Sequence, residues 1–195
     1  LAEPKLTDEL RAGSYNVGCH AVPNLYTCLG YNHNGGSVLR WFRDTLAQEE
    51  QDEARRSGRD VYDLLLDGMD SQPSCLLALP HLTGSQMPWM DPFRKGALLG
   101  LTLATTKREI LKALLEGVTF QLRANVERME RAGRPIDELR AVGGGSRSSG
   151  WLQLKADITG KRIITLHVEE AGCLGAAVLA GVGAGEFHST VETVE

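Results

Sequence analysis

Residues Ala141 to Gly160 read AVGGGSRSSGWLQLKADITG. Three consecutive glycines, Gly143, Gly144 and Gly145, stand where the apolar run LRAV stops and a helical pattern begins. A strand that passes through glycine into a helix leaves main-chain N–H groups unpaired at the positive end of the helix dipole, beside a surface stripped of Cβ atoms. Such a junction either turns the chain tightly or receives phosphate, and a triple glycine alone does not choose between the two.

Downstream, SGWLQLKADITG is followed by the strand pattern RIITLHV and a small-residue helix beginning near Glu170. Strand, helix, strand, helix predicts parallel neighbours joined by crossovers, and therefore an α/β layered sheet. The paired acids Glu169 and Glu170 fall at the start of the last helix, where negative side chains meet the dipole favourably. That placement accounts for them better than a magnesium-binding or acid/base role. Upstream, Thr106 and Glu109 form an S/T-x-x-E capping box, and Ile110, Leu111, Leu114, Leu115, Val118, Leu122, Val126 and Met129 then recur at three- and four-residue steps. This spacing predicts the longest helix, ending near Gly133, with its apolar stripe committed to packing.

Earlier still, SCLLALPHLTGSQMPWMDPFRKGALLGLT holds an apolar strand at Cys75 to Leu79, a Pro- and Gly-rich loop through Pro92, and a second strand near Leu98 to Leu101. The loop carries Trp89, Asp91 and Arg94 and suits a ligand-facing element, an interface or a packed surface equally. Gln51 to Gly68 is polar and charged, with one short surface helix expected around Val61 to Leu66. In the first quarter, SYNVGCHA and LYTCLGYN flank VPN, a hairpin signal. Asn34-Gly35-Gly36 then opens SVLRWFRDTLAQEE, whose Val38, Leu39, Trp41, Phe42 and Leu46 share one helical face. Here again glycine precedes a helix start, and a shared sheet could bring the junctions at Gly36 and Gly144 to one crevice, giving a bound polyphosphate donors from two sides.

Composition narrows the function. At 195 residues, 42% of them hydrophobic and 24% charged, the chain can bury a substantial core. A formal charge of -4, with Lys and Arg scattered singly among acids, offers no basic stripe, which argues against nucleic acid or an anionic membrane as partner. Cys19, Cys28, Cys75 and Cys173 form no C-x-x-C pair and suit reduced core thiols. The five histidines show no metal-ligand spacing. No signal peptide opens the sequence, and the small-apolar run Ala171 to Gly185 is too short and glycine-rich to span a bilayer, so a cytoplasmic location is expected. The chain begins LAEPKLTDEL without Met, so it is expected to be part of something longer.

Two common phosphate motifs are absent. In a G-x-x-x-x-G-K-[ST] frame on Gly160 and Lys161, Lys155 takes the first glycine position and Arg162 the hydroxyl position. In a G-x-G-x-x-G frame Ser148 replaces the third glycine, and His167 and Val168 stand where the next strand should end on an acid. A nicotinamide dehydrogenase is the less supported reading.

VGGGSRSSGWLQLKADITGKRIITLHVEEAGCLGAAVLAGVGAGEF, LTGSQMPWMDPFRKGALLGLT and LLEGVTFQLRANVERM together resemble the C-terminal nucleotide-binding domain of the FGGY carbohydrate kinases, the family of xylulokinase and glycerol kinase. The resemblance runs from YNVGCHAVPN to GAGEF as several separated blocks in family order. It implies a ribonuclease-H-like, actin-like ATPase domain, an α/β fold with a mixed sheet flanked by helices. It also implies ATP and Mg2+, and a nucleotide lying between this domain and an N-terminal domain that holds the sugar.

Carried over by position, Gly144 would approach the ATP phosphates through its backbone, Gly143 and Gly145 would shape the turn, and Ser148 would meet the adenine. Gly36 would lie by the phosphates and Arg40 would border the adenosine. Arg40 departs from a family glutamine and Ser148 from an asparagine, and Gly84-Ser85-Gln86-Met87-Pro88 replaces a loop that usually carries a charged pair. The base aspartate and a threonine-bearing phosphate loop are expected upstream of Leu1. Asp91 is the weaker candidate for a base within the chain.

The whole protein would then phosphorylate a sugar or polyol, xylulose first, while this segment supplies the ATP-binding half and turns over negligibly alone. The alternative is an actin-like ATPase module without sugar kinase activity. A homodimer is among the assemblies left open.

Overall fold

The computed structural model describes residues 6–69, 72–166, 168 and 170–190. The elements run α1 (Asp8–Ala12), β1 (Asn16–Cys19), β2 (Tyr26–Leu29), α2 (Gly36–Leu46), α3 (Gln48–Ser57), α4 (Val61–Leu66), β3 (Leu77–Leu79), β4 (Ala97–Leu99), α5 (Lys107–Arg131), β5 (Glu138–Ala141), α6 (Ser149–Thr159), β6 (Arg162–Thr165) and α7 (Ala171–Ala184). Among the described residues the strands form three two-stranded pairs. β1 with β2 and β3 with β4 are antiparallel, whereas β5 and β6 are parallel, with Leu139 opposite Ile163. The parallel pair with α6 as its crossover is the unit the alternating pattern anticipates.

The helix α5 organises the rest. Its start is fixed by the capping box: the Thr106 side chain accepts from the Glu109 amide, and the Glu109 carboxylate accepts from the Thr106 amide at 2.7 Å. The anticipated stripe is buried at Leu111, Leu114, Leu115, Val118 and Val126. Burial extends further round the helix, however, to Lys112, Glu116, Thr119, Gln121 and Asn125. Each finds a partner, as buried polar groups must: Glu116 accepts from the Ser74 amide at 2.9 Å, and the Thr119 hydroxyl bonds the Leu115 carbonyl at 2.7 Å. Gly117 is where α5 meets β3; a Cβ there would stand 2.5 Å from the Ala78 carbonyl oxygen. The sequence pattern reveals the apolar stripe of α5 but not that neighbours enclose its polar flanks as well.

One apolar cluster joins α2 (Val38, Leu39, Phe42), α4 (Leu65, Leu66), α5 (Leu111, Leu114, Leu115, Val118) and α6 (Trp151). Burial of each such side chain stabilises by about 1.5–3 kcal/mol, against at most about 1 kcal/mol for an exposed ion pair, so apolar packing fixes how these four helices sit. A second cluster, Leu10, Tyr15 and Met87, anchors α1 and the hairpin.

Several expectations change in three dimensions. Trp41 and Leu46 share the apolar face of α2 in projection, yet remain 38% and 40% exposed. The polar stretch after Gln48 is helical: α3 buries no residue and carries i,i+3 pairs, Arg55 to Asp52 at 2.9 Å and Arg56 to Glu53 at 3.0 Å, before Gly58 ends it in the left-handed region. Without an apolar stripe, such a helix gives no periodic signal. The α4 helix occurs where predicted, but Leu65 and Leu66 tie it into the core.

The core-thiol expectation fails for three cysteines: Cys19, Cys75 and Cys173 are exposed, because their segments have cover on too few sides, and only Cys28 is half-buried. Burial raises the Cys28 thiol pKa. Glu169 lies outside the described residues. Glu170 is the N-cap of α7 and makes no side-chain capping bond. Among the described residues no helix is long and apolar enough to cross a membrane.

Candidate functional site

Local chemistry assigns each glycine of the triplet a different constraint. Gly143 has φ 75° and ψ -170°, a conformation that side chains rarely adopt, so the backbone itself demands glycine there. Gly144 through Ser146 form a single 3-10 turn, closed by the Ser146 amide and hydroxyl on the Gly143 carbonyl at 3.0 and 2.7 Å. Gly144 has no such φ, and a Cβ built on it meets no protein atom within 4 Å. Neither backbone nor packing requires glycine at 144. At Gly145 a Cβ would make only ordinary contact, 3.6 Å from Lys155 Nζ and from the Trp151 ring. Among the described residues the amides of Gly144 and Gly145 have no acceptor.

The turn is held from below by a residue the sequence reading missed. Lys155, one turn along α6 from Trp151, donates to the Gly145 carbonyl at 3.2 Å and lies 4.2 Å from the centre of the Trp151 ring. Burial depresses its pKa. The i,i+4 spacing of Trp151 and Lys155 is the sequence signal that could have shown it. Ser148 caps α6, accepting from the Trp151 amide at 3.3 Å, so its oxygen is partly committed to the helix.

The second junction resembles the first in what it lacks. The α2 helix begins at Gly36 with no side-chain cap, unlike α5 and α6. The amides of Gly36 and Ser37 have no acceptor among the described residues, and a Cβ at Gly36 would meet nothing within 4 Å. Two residues before Gly36, Asn34 is wholly buried and fixes the turn: its side-chain Nδ2 donates to the Gly84 carbonyl at 2.7 Å, and its Oδ1 accepts from the Thr83 amide at 3.1 Å. Arg40, one turn into α2, is exposed and makes no hydrogen bond or ion pair among the described residues. Its charge is felt by Asp44, four residues along the same helix, whose carboxyl pKa is lowered first by its hydrogen bond with Arg43 and to a lesser degree by the charges of Arg43 and Arg40.

The two junctions meet. A cleft of about 450 Å³ is lined by Gly36 and Arg40 on one side and by Gly144, Gly145, Arg147 and Ser148 on another. Leu39, Leu66 and Trp151 give it apolar surface, and Asp60, Tyr62 and Asp63 of the α4 segment close a third side. Of the six residues that the resemblance assigns to the nucleotide site, Gly36, Arg40, Gly144, Gly145 and Ser148 line it and Gly143 does not, consistent with its conformational role. The expectation that a shared sheet would bring the junctions together is corrected here. The strands before them, β2 and β5, belong to different pairs, and it is the packing of α2 and α6 on α5 that makes the cleft.

Asp91 is elsewhere and otherwise engaged. Its backbone bridges Ser85 through two hydrogen bonds of 2.8 and 2.9 Å. Its carboxylate accepts from the Phe93 amide at 3.0 Å and pairs with Arg94 at 3.3 Å. These contacts make it a turn-forming residue. Among the described residues no three His, Cys, Asp or Glu side chains gather to hold a metal ion.

Comparison with known proteins shows the family. Residues 1–184 match the C-terminal domain of the FGGY family of carbohydrate kinases. The xylulose kinase of Bacillus subtilis is 32% identical over 179 residues, which is 90% of this chain and 34% of the relative. The crystal structure of a gluconate kinase from Lactobacillus acidophilus superposes with a TM-score of 0.76 at 28% identity, covering 98% of this chain and 37% of that one. That of Plasmodium falciparum glycerol kinase with ADP does so with a TM-score of 0.66 at 25% identity, covering 87% and 31%. The chain spans about a third of the length of the curated relatives it matches.

Proposed function

We propose, because the chain belongs to the FGGY family of carbohydrate kinases, that the whole protein transfers the terminal phosphoryl group of ATP to a hydroxyl of a sugar or polyol, with this domain holding the nucleotide. One observation carries the reading: two glycine-to-helix junctions, distant in sequence, open into one cleft, and at Gly36 and Gly144 nothing among the described residues accounts for the missing side chain. A ligand that comes within van der Waals reach of the main chain would account for it.

Phosphoryl transfer needs alignment and charge neutralisation more than covalent help from the protein. In this reading the bare amides of Gly144, Gly145, Gly36 and Ser37 donate to phosphate oxygens from two directions. The open N-terminus of α2 adds its dipole, and Arg40 and Arg147 place positive charge at the rim. Gly143 sets the strained turn that aims the Gly144 amide, and Lys155 supports that turn through the Gly145 carbonyl. Ser148, at the start of α6, borders the nucleoside. The described residues do not form a cage for Mg2+.

The hydroxyl acceptor and the carboxylate that takes its proton belong, in this proposal, to an N-terminal sugar-binding domain outside the present chain. Xylulose is the first substrate to test, followed by gluconate and glycerol. Full-length protein incubated with ATP, Mg2+ and each acceptor should form a sugar phosphate visible by phosphorus NMR with only some acceptors. ATP hydrolysis at one rate whatever acceptor is present would reject the kinase and favour an actin-like ATPase module.

A further inference from the structure

We propose that α4 is the base-reading wall of this cleft and that the Asp63 carboxylate accepts a hydrogen bond from the exocyclic amino group of adenine, making it a specificity-determining residue. The inference rests on the nucleotide-binding reading above. It begins from the unequal chemistry of the walls. The two glycine junctions bring unpaired amides and two arginines, whereas the α4 segment brings the carboxylates of Asp60 and Asp63 and no basic residue in its last turn. A polyphosphate is drawn to the first and repelled by the second. The nucleoside is left facing α4, where Leu39, Leu66 and Trp151 supply the apolar surface a flat heterocycle buries.

The hydrogen-bonding groups on that wall can be taken in turn. Asp60 is the N-cap of α4 and accepts from the Tyr62 amide at 2.7 Å. The Tyr62 hydroxyl accepts from Arg43 Nη1 at 2.7 Å, and the same guanidinium lies 5.4 Å from the centre of its ring, so Tyr62 is pinned from α2. Asp63 alone of the three has a side chain with no hydrogen bond or ion pair among the described residues. A carboxylate at neutral pH only accepts, and the sole donor on the base edge of adenosine is the amino group at C6. Asp63 is exposed, so its substitution by Ala leaves the core untouched.

The test compares three nucleotides on full-length protein and on Asp63→Ala, by calorimetry with Mg2+ present: ATP, purine riboside triphosphate, which lacks the amino group, and 2′-deoxy-ATP. The unsubstituted protein should bind ATP about tenfold more tightly than purine riboside triphosphate, the worth of one partly screened charge-assisted hydrogen bond. In Asp63→Ala that difference should collapse towards unity, while the preference for ATP over 2′-deoxy-ATP stays unchanged. Collapse of the deoxy preference instead would place Asp63 on the ribose and overturn the inference. An equal loss for all three nucleotides would overturn it in favour of a charge or metal effect, and no change at all would overturn it outright. Failure of the unsubstituted protein to bind any of the three would overturn the nucleotide reading itself, and this inference with it.

Discussion

The substitution Gly144→Val puts the phosphate cradle to its most direct test, because the structure separates its effect on binding from any effect on folding. A Cβ at 144 meets no protein atom within 4 Å and the residue does not occupy the left-handed region, so the variant should keep its stability to within about 0.5 kcal/mol, as surface substitutions do. In the bound state the same branched side chain would occupy the space of a phosphate oxygen and displace it from the Gly144 amide. Losing one hydrogen bond to a charged group costs about 1.5–3 kcal/mol, or about 10- to 150-fold in Kd for ADP.

Titration calorimetry of full-length protein with ADP and Mg2+ reads the loss, and a thermal melt without nucleotide supplies the control. Gly144→Ala should fall between the two, and Gly143→Val should lower the melting temperature because its φ of 75° penalises any side chain. An unchanged Kd for Gly144→Val beside an unchanged melting temperature would refute the cradle.

Three further expectations follow from the core. Gly117→Ala drives a methyl to 2.5 Å from the Ala78 carbonyl, and should cost about 1–3 kcal/mol, seen as faster hydrogen exchange along α5 and β3. Burial pushes the Tyr15 pKa up to about 12, with its hydroxyl donating to Asn125. Its folded pKa exceeds the unfolded value, so that stability is present below pH 10 and lost between pH 10 and 12; Tyr15→Phe should flatten the pH dependence in this window and remove one late-titrating phenol from the ultraviolet spectrum. Burial first, and the Arg94 charge second, lower the His81 pKa, and its Nδ1 lies 2.9 Å from Gln121 Nε2. The unfolded chain therefore takes up the proton first, and stability should fall as pH drops below 6.5, an effect His81→Asn should weaken in acid melts.

The family resemblance implied nucleotide contact at Gly36, Arg40, Gly144 and Ser148, and the two glycine-to-helix junctions suggested one crevice, but not that helix packing would form it or that α4 would wall it. What the chain order determines is short-range: the Thr106 capping box, the Val22-Pro23-Asn24 hairpin, the separate strand and helix patterns of β5, α6 and β6, and the two glycine-to-helix junctions all depend on residues a few positions apart. Dihedral preference and local hydrogen bonding act over that distance and leave a periodic trace.

The tertiary structure alone decided that Gly36 and Gly144 face one space, that α4 walls it and that Lys155 supports the turn, since each results from helices packing around α5 rather than from any local pattern. It also decided which glycines the fold itself requires. Composition shows no difference between Gly117, crowded by a carbonyl, and Gly144, next to empty space; only the positions of distant atoms do.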